Sequence, residues 1–341
     1  MASGSRQEEG KRVPFMSVVV PVFNEGAIVQ KFYARFRDVA LRCPGPYELI
    51  LVDDGSSDDS FAHLLVLHQQ DPAVKIIRLA RNFGHQIAIS AGLAHAAGEM
   101  VAVMDSDLQD PPEILPTMIG RLEEGYDIAY GVRSIRAEEG WFKRFTSHLF
   151  YRVLRSVAEI RIPLDAGDFC LMRRHVVEAM NRLPERNRFL RGLRSWFGFK
   201  QIGVPYERGS RVGGSTKFTF SKMFRFSLDG MLSFSNVPLR FASYLGFLAS
   251  AVSFMGIGIV LYFRLFTKAS IPGFATVSIL VLFVGGIQLL TIGVLGEYLG
   301  RISDEVKQRP LYVTSALIGW TSPRFPADEA FRRSHGEKAD A

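Results

Sequence analysis

The sequence predicts an α/β domain with a largely parallel sheet, followed by two membrane-crossing helices. Three observations carry that reading. Apolar, β-branched runs alternate with segments of helical periodicity through the first 230 residues. Polar clusters stand at the ends of three of those runs, where open α/β sheets bind their ligands. Downstream, two long stretches carry no charge at all.

Residues 1–14 are polar and charged and read as a disordered tail, not a signal peptide. The domain proper is expected over 15–217, with strands at 17–22, 48–52, 74–79 and 100–104, and a weaker one at 127–131. Between the first two, Ile28, Val29, Phe32, Phe36 and Val39 recur at helical spacing, and residues 86–97 form an alanine-rich helix. In residues 141–160, Phe142, Phe145, Leu149, Val153 and Val157 alternate with Lys143, Arg144, Arg152 and Arg155. Residues 218–236 crowd aromatics with Lys222 and Arg225, a composition suited to a helix lying in a lipid headgroup layer.

Residues 237–298 hold the charge-free stretches, read as spans at about 239–263 and 271–296. At about 1.5 Å per residue, each reaches across a hydrocarbon core of about 30 Å. Arg264 and Lys268 lie between them, while Arg225, Arg240, Arg301, Lys307 and Arg309 flank them, so the positive-inside bias puts both termini in the cytoplasm. Residues 299–341 read as a cytoplasmic tail. The expected location is therefore the cell (inner) membrane, multi-pass. Small residues in the spans point to a homo-oligomer.

The chain has 341 residues, room for about two domains of roughly 150 residues. Two cysteines, Cys43 and Cys170, exclude a disulfide scaffold and a four-cysteine zinc site. The net charge of +7 suits an anionic partner, and its clustering beside apolar runs favours a membrane and a phosphorylated substrate over nucleic acid. No G-x-G-x-x-G follows the first strand and no P-loop occurs, which speaks against dinucleotide and P-loop chemistry.

Asp105-Ser106-Asp107 comes directly off an apolar strand, and alternation lets Asp105, Asp107 and Gln109 leave on one side. Hard oxygen donors so arranged suit Mg²⁺ or Mn²⁺. This cluster joins Pro21-Val22-Phe23-Asn24-Glu25, Asp53-Asp54-Gly55-Ser56 and Arg81-Asn82-Phe83-Gly84-His85-Gln86 in an ordered set. The set resembles the family-two inverting glycosyltransferases of GT-A (Rossmann-like) fold. Within that family the chain is most similar to the polyisoprenyl-phosphate glycosyltransferases, such as bactoprenol glucosyltransferases and dolichol-phosphate mannose synthases, over about residues 16–315.

The resemblance implies a nucleotide-diphosphate sugar held by Pro21, Asn24, Glu25, Asp53, Arg81 and Asp105, with the metal on Asp105, Asp107 and Gln109. Asp165-Ala166-Gly167-Asp168-Phe169 resembles the family's acceptor-side segment, so either Asp165 or Asp168 faces the sugar carbon. Arg133, Arg208, Arg211, Ser215 and Lys217 match positions used around phosphates: Arg133, Arg211 and Lys217 at the reaction, and Arg208, Arg211, Ser215 and Lys217 on the acceptor phosphate. The implied reaction moves a hexose to a polyprenyl phosphate, with UDP-glucose and undecaprenyl phosphate favoured and GDP-mannose or a modified UDP-sugar as alternatives. A phosphate monoester is mostly dianionic at pH 7, so the aspartate orients or balances charge and is not an obligatory base. A processive synthase would need more than two spans to line a channel, and no Gln-x-x-Arg-Trp occurs. A non-catalytic scaffold or transporter subunit would not need the intact carboxylate set.

Overall fold

The computed structural model describes residues 13–133, 166–186, 188–207, 237–266 and 273–320. Strands β1 (Met16–Val22), β2 (Tyr47–Asp53), β3 (Val74–Leu79), β4 (Met100–Val103) and β5 (Ile128–Arg133) form where the apolar runs place them. Three more were not expected as strands: β6 (Ala166–Arg173), β7 (Gln201–Tyr206) and β8 (Thr314–Ile318). All eight lie in one sheet in the order β7-β5-β6-β4-β1-β2-β3-β8.

The sheet is mixed, which corrects the expectation of a largely parallel one. β1 pairs in parallel with β2 and β4, β2 with β3, and β5 with β7. β6 runs antiparallel between β4 and β5, and β8 antiparallel along β3. The cause is local. A strand inserted between β4 and β5 needs no crossover helix of its own when it runs the opposite way.

Alternation along each strand divides the core. Val18, Val20 and Val22 pack with α1 (Gly26–Ala40), α2 (Ser60–Gln70) and α4 (Leu115–Glu123) through Val29, Phe32, Phe36, Leu64 and Met118. Val19 faces α3 (His85–His95) on the other side, and a Cβ on Gly92 would sit 2.2 Å from Val19 Cγ1. Only glycine lets that helix lie so close. Helices α5 (Arg174–Arg182) and α6 (Leu190–Trp196) bury Val176, Val177, Met180, Leu190 and Leu193.

β8 is the C-terminal part of this unit. The chain returns to the sheet after its long helices, at a segment the sequence reading leaves inside a tail. Val313 O accepts from Ala80 N at 2.8 Å, and Arg78 pairs with Ala316. Beyond the strand, Lys75 Nζ stands 5.4 Å over the Trp320 ring.

The second unit contains α7 (Val237–Phe266) and α8 (Phe274–Val306), which pack against each other. α7 extends past the expected end at 263 and takes in Arg264. α8 starts three residues late and runs on through Glu297, Arg301, Asp304 and Glu305. Charge ends an apolar span but does not end a helix, since Glu and Arg are good helix formers. Arg301 and Lys307 lie 3.4 Å and 3.6 Å from Glu297 and Asp304, respectively. Among the described residues, 283–306 is the one stretch long and apolar enough to cross a membrane by length and composition, and none of it is buried.

Candidate functional site

The carboxyl ends of β1, β2 and β4 carry the expected clusters, and the backbone there is bent on purpose. Asn24 and Leu108 take φ of 54° and 61°, in the left-handed region that side chains other than glycine seldom adopt. Asn24 N donates to Ser56 Oγ at 3.0 Å, and its Oδ1 accepts from Ser57 N at 2.9 Å. The turn at Leu108 lets Asp107 Oδ1 accept from Gln109 N at 3.0 Å. Such strain persists where the surroundings over-determine it.

Asp53 and Asp54 have separate duties. Asp53 Oδ1 accepts from Ser56 N at 2.9 Å, a turn-capping bond, while its buried Oδ2 lies 3.2 Å from Arg78 Nε. Arg78 in turn stacks 4.2 Å over Phe61. Asp54 accepts from Phe83 N and Gly84 N at 2.7 and 3.0 Å and so ties the 81–86 loop to the end of β2. Gly55, at φ 67°, permits this: a Cβ there would lie 2.4 Å from the Arg81 carbonyl carbon. Arg81 is exposed and stacks 4.1 Å over Phe83. Glu25 accepts from the Ser106 hydroxyl, and Pro21 O lies 3.4 Å from the same group, so the first motif is fastened to the Asp105-Ser106-Asp107 turn.

β6 brings Asp168 against that turn. His85 Nε2 lies 3.5 Å from Asp105 Oδ1 and 3.4 Å from Asp168 Oδ2, so one imidazole nitrogen stands between the two carboxylates. Asp168 also accepts from Gln86 Nε2 at 3.0 Å and from Arg191 Nε and Nη2 at 2.8 and 3.1 Å. Burial opposes charge on Asp168, but His85 and Arg191 outweigh it and hold the carboxyl well below the usual range. Burial likewise works against charge on His85, yet Asp168 and Asp105 push the imidazole up to about 9. For Asp105, burial dominates over the pull of His85. With the charges of Asp110, Asp168 and Asp107 it pushes the carboxyl up to about 6.

Asp105 Oδ1 is buried and accepts no hydrogen bond among the described residues. A carboxylate pressed upward by burial and by like charges, its Oδ1 facing His85 Nε2 without a hydrogen bond, is a fitting donor for a hard divalent cation. Asp107 and Gln109 follow it on the same turn. Among the described residues no three His, Cys, Asp or Glu side chains gather as a ready metal cluster, so any such ion would lean on the Gln109 amide and on substrate oxygens.

At the end of β5, Arg133 Nε lies 3.4 Å from the Tyr206 hydroxyl, which donates to the buried Asp110. Burial and the Asp110 carboxylate push the Tyr206 phenol upward, so it stays a donor. Asp165, Arg208, Arg211, Ser215 and Lys217 lie outside the described residues, as do the expected amphipathic segments at 141–160 and 218–236. Sequence reasoning missed the roles of His85, Gln86, Arg78, Tyr206 and Arg191. The first two stand within a quoted motif, which was their only signal. The others act through partners distant in sequence.

The family model for Glycosyl transferase family 2 matches residues 17–180. The chain is 47% identical over 313 residues to an uncharacterized glycosyltransferase, YkcC, of Bacillus subtilis, covering 92% of this chain and 97% of that one. It is 42% identical over 304 residues to an uncharacterized glycosyltransferase, sll0501, of Synechocystis, covering 89% and 96%. It is 40% identical over 298 residues to the bactoprenol glucosyl transferase of Shigella phage SfII, covering 87% and 96%.

Proposed function

Since the chain belongs to glycosyl transferase family 2 and is a glycosyltransferase with a GT-A-like α/β fold, we propose that it moves a hexose from a nucleotide-diphosphate sugar to a polyprenyl phosphate at the cytoplasmic membrane face, with inversion. The observation that carries the chemistry is the approach of Asp105 and Asp168 to a single atom, His85 Nε2. A donor-side and an acceptor-side carboxylate then flank the space where a sugar carbon would pass from one oxygen to another. The acceptor class is supported by the similarity to bactoprenol glucosyl transferases. Glucose from UDP-glucose and undecaprenyl phosphate are our choice of substrates.

In this reading Pro21, Asn24, Glu25, Asp53 and Arg81 hold the nucleoside, and Asp105, Asp107 and Gln109 hold Mg²⁺ or Mn²⁺. Once bound, the ion would neutralise the departing diphosphate. Asp168 faces the acceptor. Its charge is already satisfied by Arg191, Gln86 and His85, which suits a group that orients and balances charge and does not suit one that must take up a proton. The acceptor phosphate arrives mostly dianionic and supplies its own nucleophile. In this reading Arg208, Arg211, Ser215 and Lys217 bind that phosphate, and Arg133, Arg211 and Lys217 serve the reaction.

We further propose that α7 and α8 form a membrane hairpin, with both termini cytoplasmic. Parity supports the pair. β1–β7 precede the two helices and β8 follows them, yet all belong to one sheet, and a sheet cannot straddle a bilayer. The number of crossings between Tyr206 and Thr314 must therefore be even, so if α8 crosses, a second crossing lies in that stretch, and among the described residues α7 is the helix available for it. The two helices also leave large apolar side chains exposed along their length, among them Phe247, Phe254, Leu289 and Leu299. Open space beside Gly256, Gly285, Gly286 and Gly293 suits a homo-oligomer.

The test gives the full-length protein labelled UDP-glucose and undecaprenyl phosphate in vesicles. An organic-extractable, acid-labile labelled lipid is expected. Label appearing only with GDP-mannose would move the donor, a polymer would favour a processive synthase, and no lipid product from any donor would overturn the acceptor.

A further inference from the structure

We propose that Arg191 is a positioning residue for the transfer: its guanidinium fork, carried on α6, sets the Asp168 carboxylate in the orientation that faces the acceptor. The inference rests on the reading of Asp168 given above. A guanidinium that donates from Nε and Nη2 to the two oxygens of one carboxylate fixes the plane of that carboxylate, which a lysine ammonium cannot do.

α6 grips the same corner of β6 at two further points. Gln86 donates to Asp168 Oδ2, and its Oε1 accepts from Leu190 N at 3.1 Å, so the residue before Arg191 is tied to the same network. Arg194, three residues on and buried, donates from Nη2 to Gly167 O at 3.1 Å and so fixes the main chain just before Asp168. One short helix thus sets both the backbone and the side chain at this position. A salt bridge that served stability alone would need neither the second arginine on the carbonyl nor the glutamine joining carboxylate to helix.

The experiment is a double-mutant cycle on the full chain in detergent and lipid: wild type, Arg191→Met, Asp168→Asn and the double variant. It reads kcat, KM for polyprenyl phosphate, nucleotide-sugar affinity by calorimetry, and the unfolding midpoint. Arg191→Met should lower kcat by about 10²-fold, the scale of a misplaced reacting group, with donor affinity within about twofold of wild type. In the Asp168→Asn background the same change should cost less than about twofold, because its target is already gone. Equal losses in both backgrounds, or a loss confined to donor affinity, would overturn the inference.

Should Arg191→Met fail to fold, Arg191→Lys decides. It keeps the charge and loses the fork, so a kcat about tenfold down at an unchanged midpoint supports the inference and a wild-type kcat overturns it. A wild-type protein inert toward polyprenyl phosphate would sink the acceptor reading alone. The cycle is then read on nucleotide-sugar hydrolysis by the same four proteins, with the same two outcomes.

Discussion

In α3, Ala88, Ile89, Ala91 and Leu93 are buried against the sheet, whereas in α8 Leu289, Ile292, Leu295 and Leu299 are exposed. The two helices draw on the same apolar residue types and dispose of them in opposite ways. In the sheet unit the apolar face is removed from water by packing, which contributes about 25 cal/mol for each Å² covered. In the long helices such faces are left open. A protein surface in water seldom shows so much exposed apolar side chain, which is the contrast the proposed membrane hairpin accounts for. The polar chemistry follows the same division. Buried carboxylates of the sheet unit meet Arg191, His85 and Tyr206, while the charges of α8 are confined to its last turns.

The largest effect should come from the sheet side alone. Asp105→Asn or Asp107→Asn should lower transfer by about 10³-fold or more and weaken nucleotide-sugar binding in Mg²⁺ or Mn²⁺, with an unchanged unfolding midpoint. Full activity in EDTA would remove the metal from the mechanism.

One substitution made in both regions breaks the comparison if it fails to separate them. Leu289→Arg in α8 should cost about 2.5–3.5 kcal/mol of membrane insertion, read by carbonate extraction or glycosylation mapping. Val66→Arg, an exposed site on α2, should change stability by less than about 0.5 kcal/mol. Similar small effects at both sites would place α8 in water.

A smaller effect is expected from replacing residues 237–306 by a polar linker that keeps β8. Nucleotide-sugar affinity should hold within about twofold, while transfer to membrane-embedded lipid should fall about tenfold through lost co-localisation. Undiminished transfer would show that the helices do not serve to bring the enzyme to its lipid acceptor.

The smallest effect is an absence. Asp168 keeps its charge well below the usual carboxylate range, so it does not titrate near neutrality. With chemistry rate-limiting and acceptor saturating, a limb near pH ~6, where a phosphate monoester ionises, should persist in Asp168→Asn. Activity is then lost as pH falls through that value in both proteins. A limb that vanished in the variant would make Asp168 the titrating base.

β1 to β5 were legible because each is an apolar run bounded by turn residues. β6 was not, since Ala166-Gly167-Asp168 opens it with three residues that read as a turn. β7 carries Gly203 and Pro205, tolerable only because it lies at the sheet edge. β8 is five residues long with no alternating pattern. In the site, Asp105 could be named from its motif and Asp168 as one of two alternatives with Asp165, but what holds them could not. Arg191 and Tyr206 earn their places through contacts 23 and 96 residues away along the chain, which periodicity does not report.

The return of the chain to β3 also sets a schedule. Arg78 leaves the ribosome long before its partner Ala316, and the 237 residues between them take roughly ten to fifty seconds to make at about 5–20 residues per second. Throughout that interval the outer edge of β3 is an unpaired row of backbone donors and acceptors, the kind of edge on which nascent chains stick to one another. The last of these strands to be synthesised therefore closes the sheet, and it can do so only after both long helices have been made. If the helix pair inserts as proposed, a stalled or slow insertion would prolong the exposure of an otherwise finished catalytic unit and tie the yield of active protein to the pace of its final hundred residues.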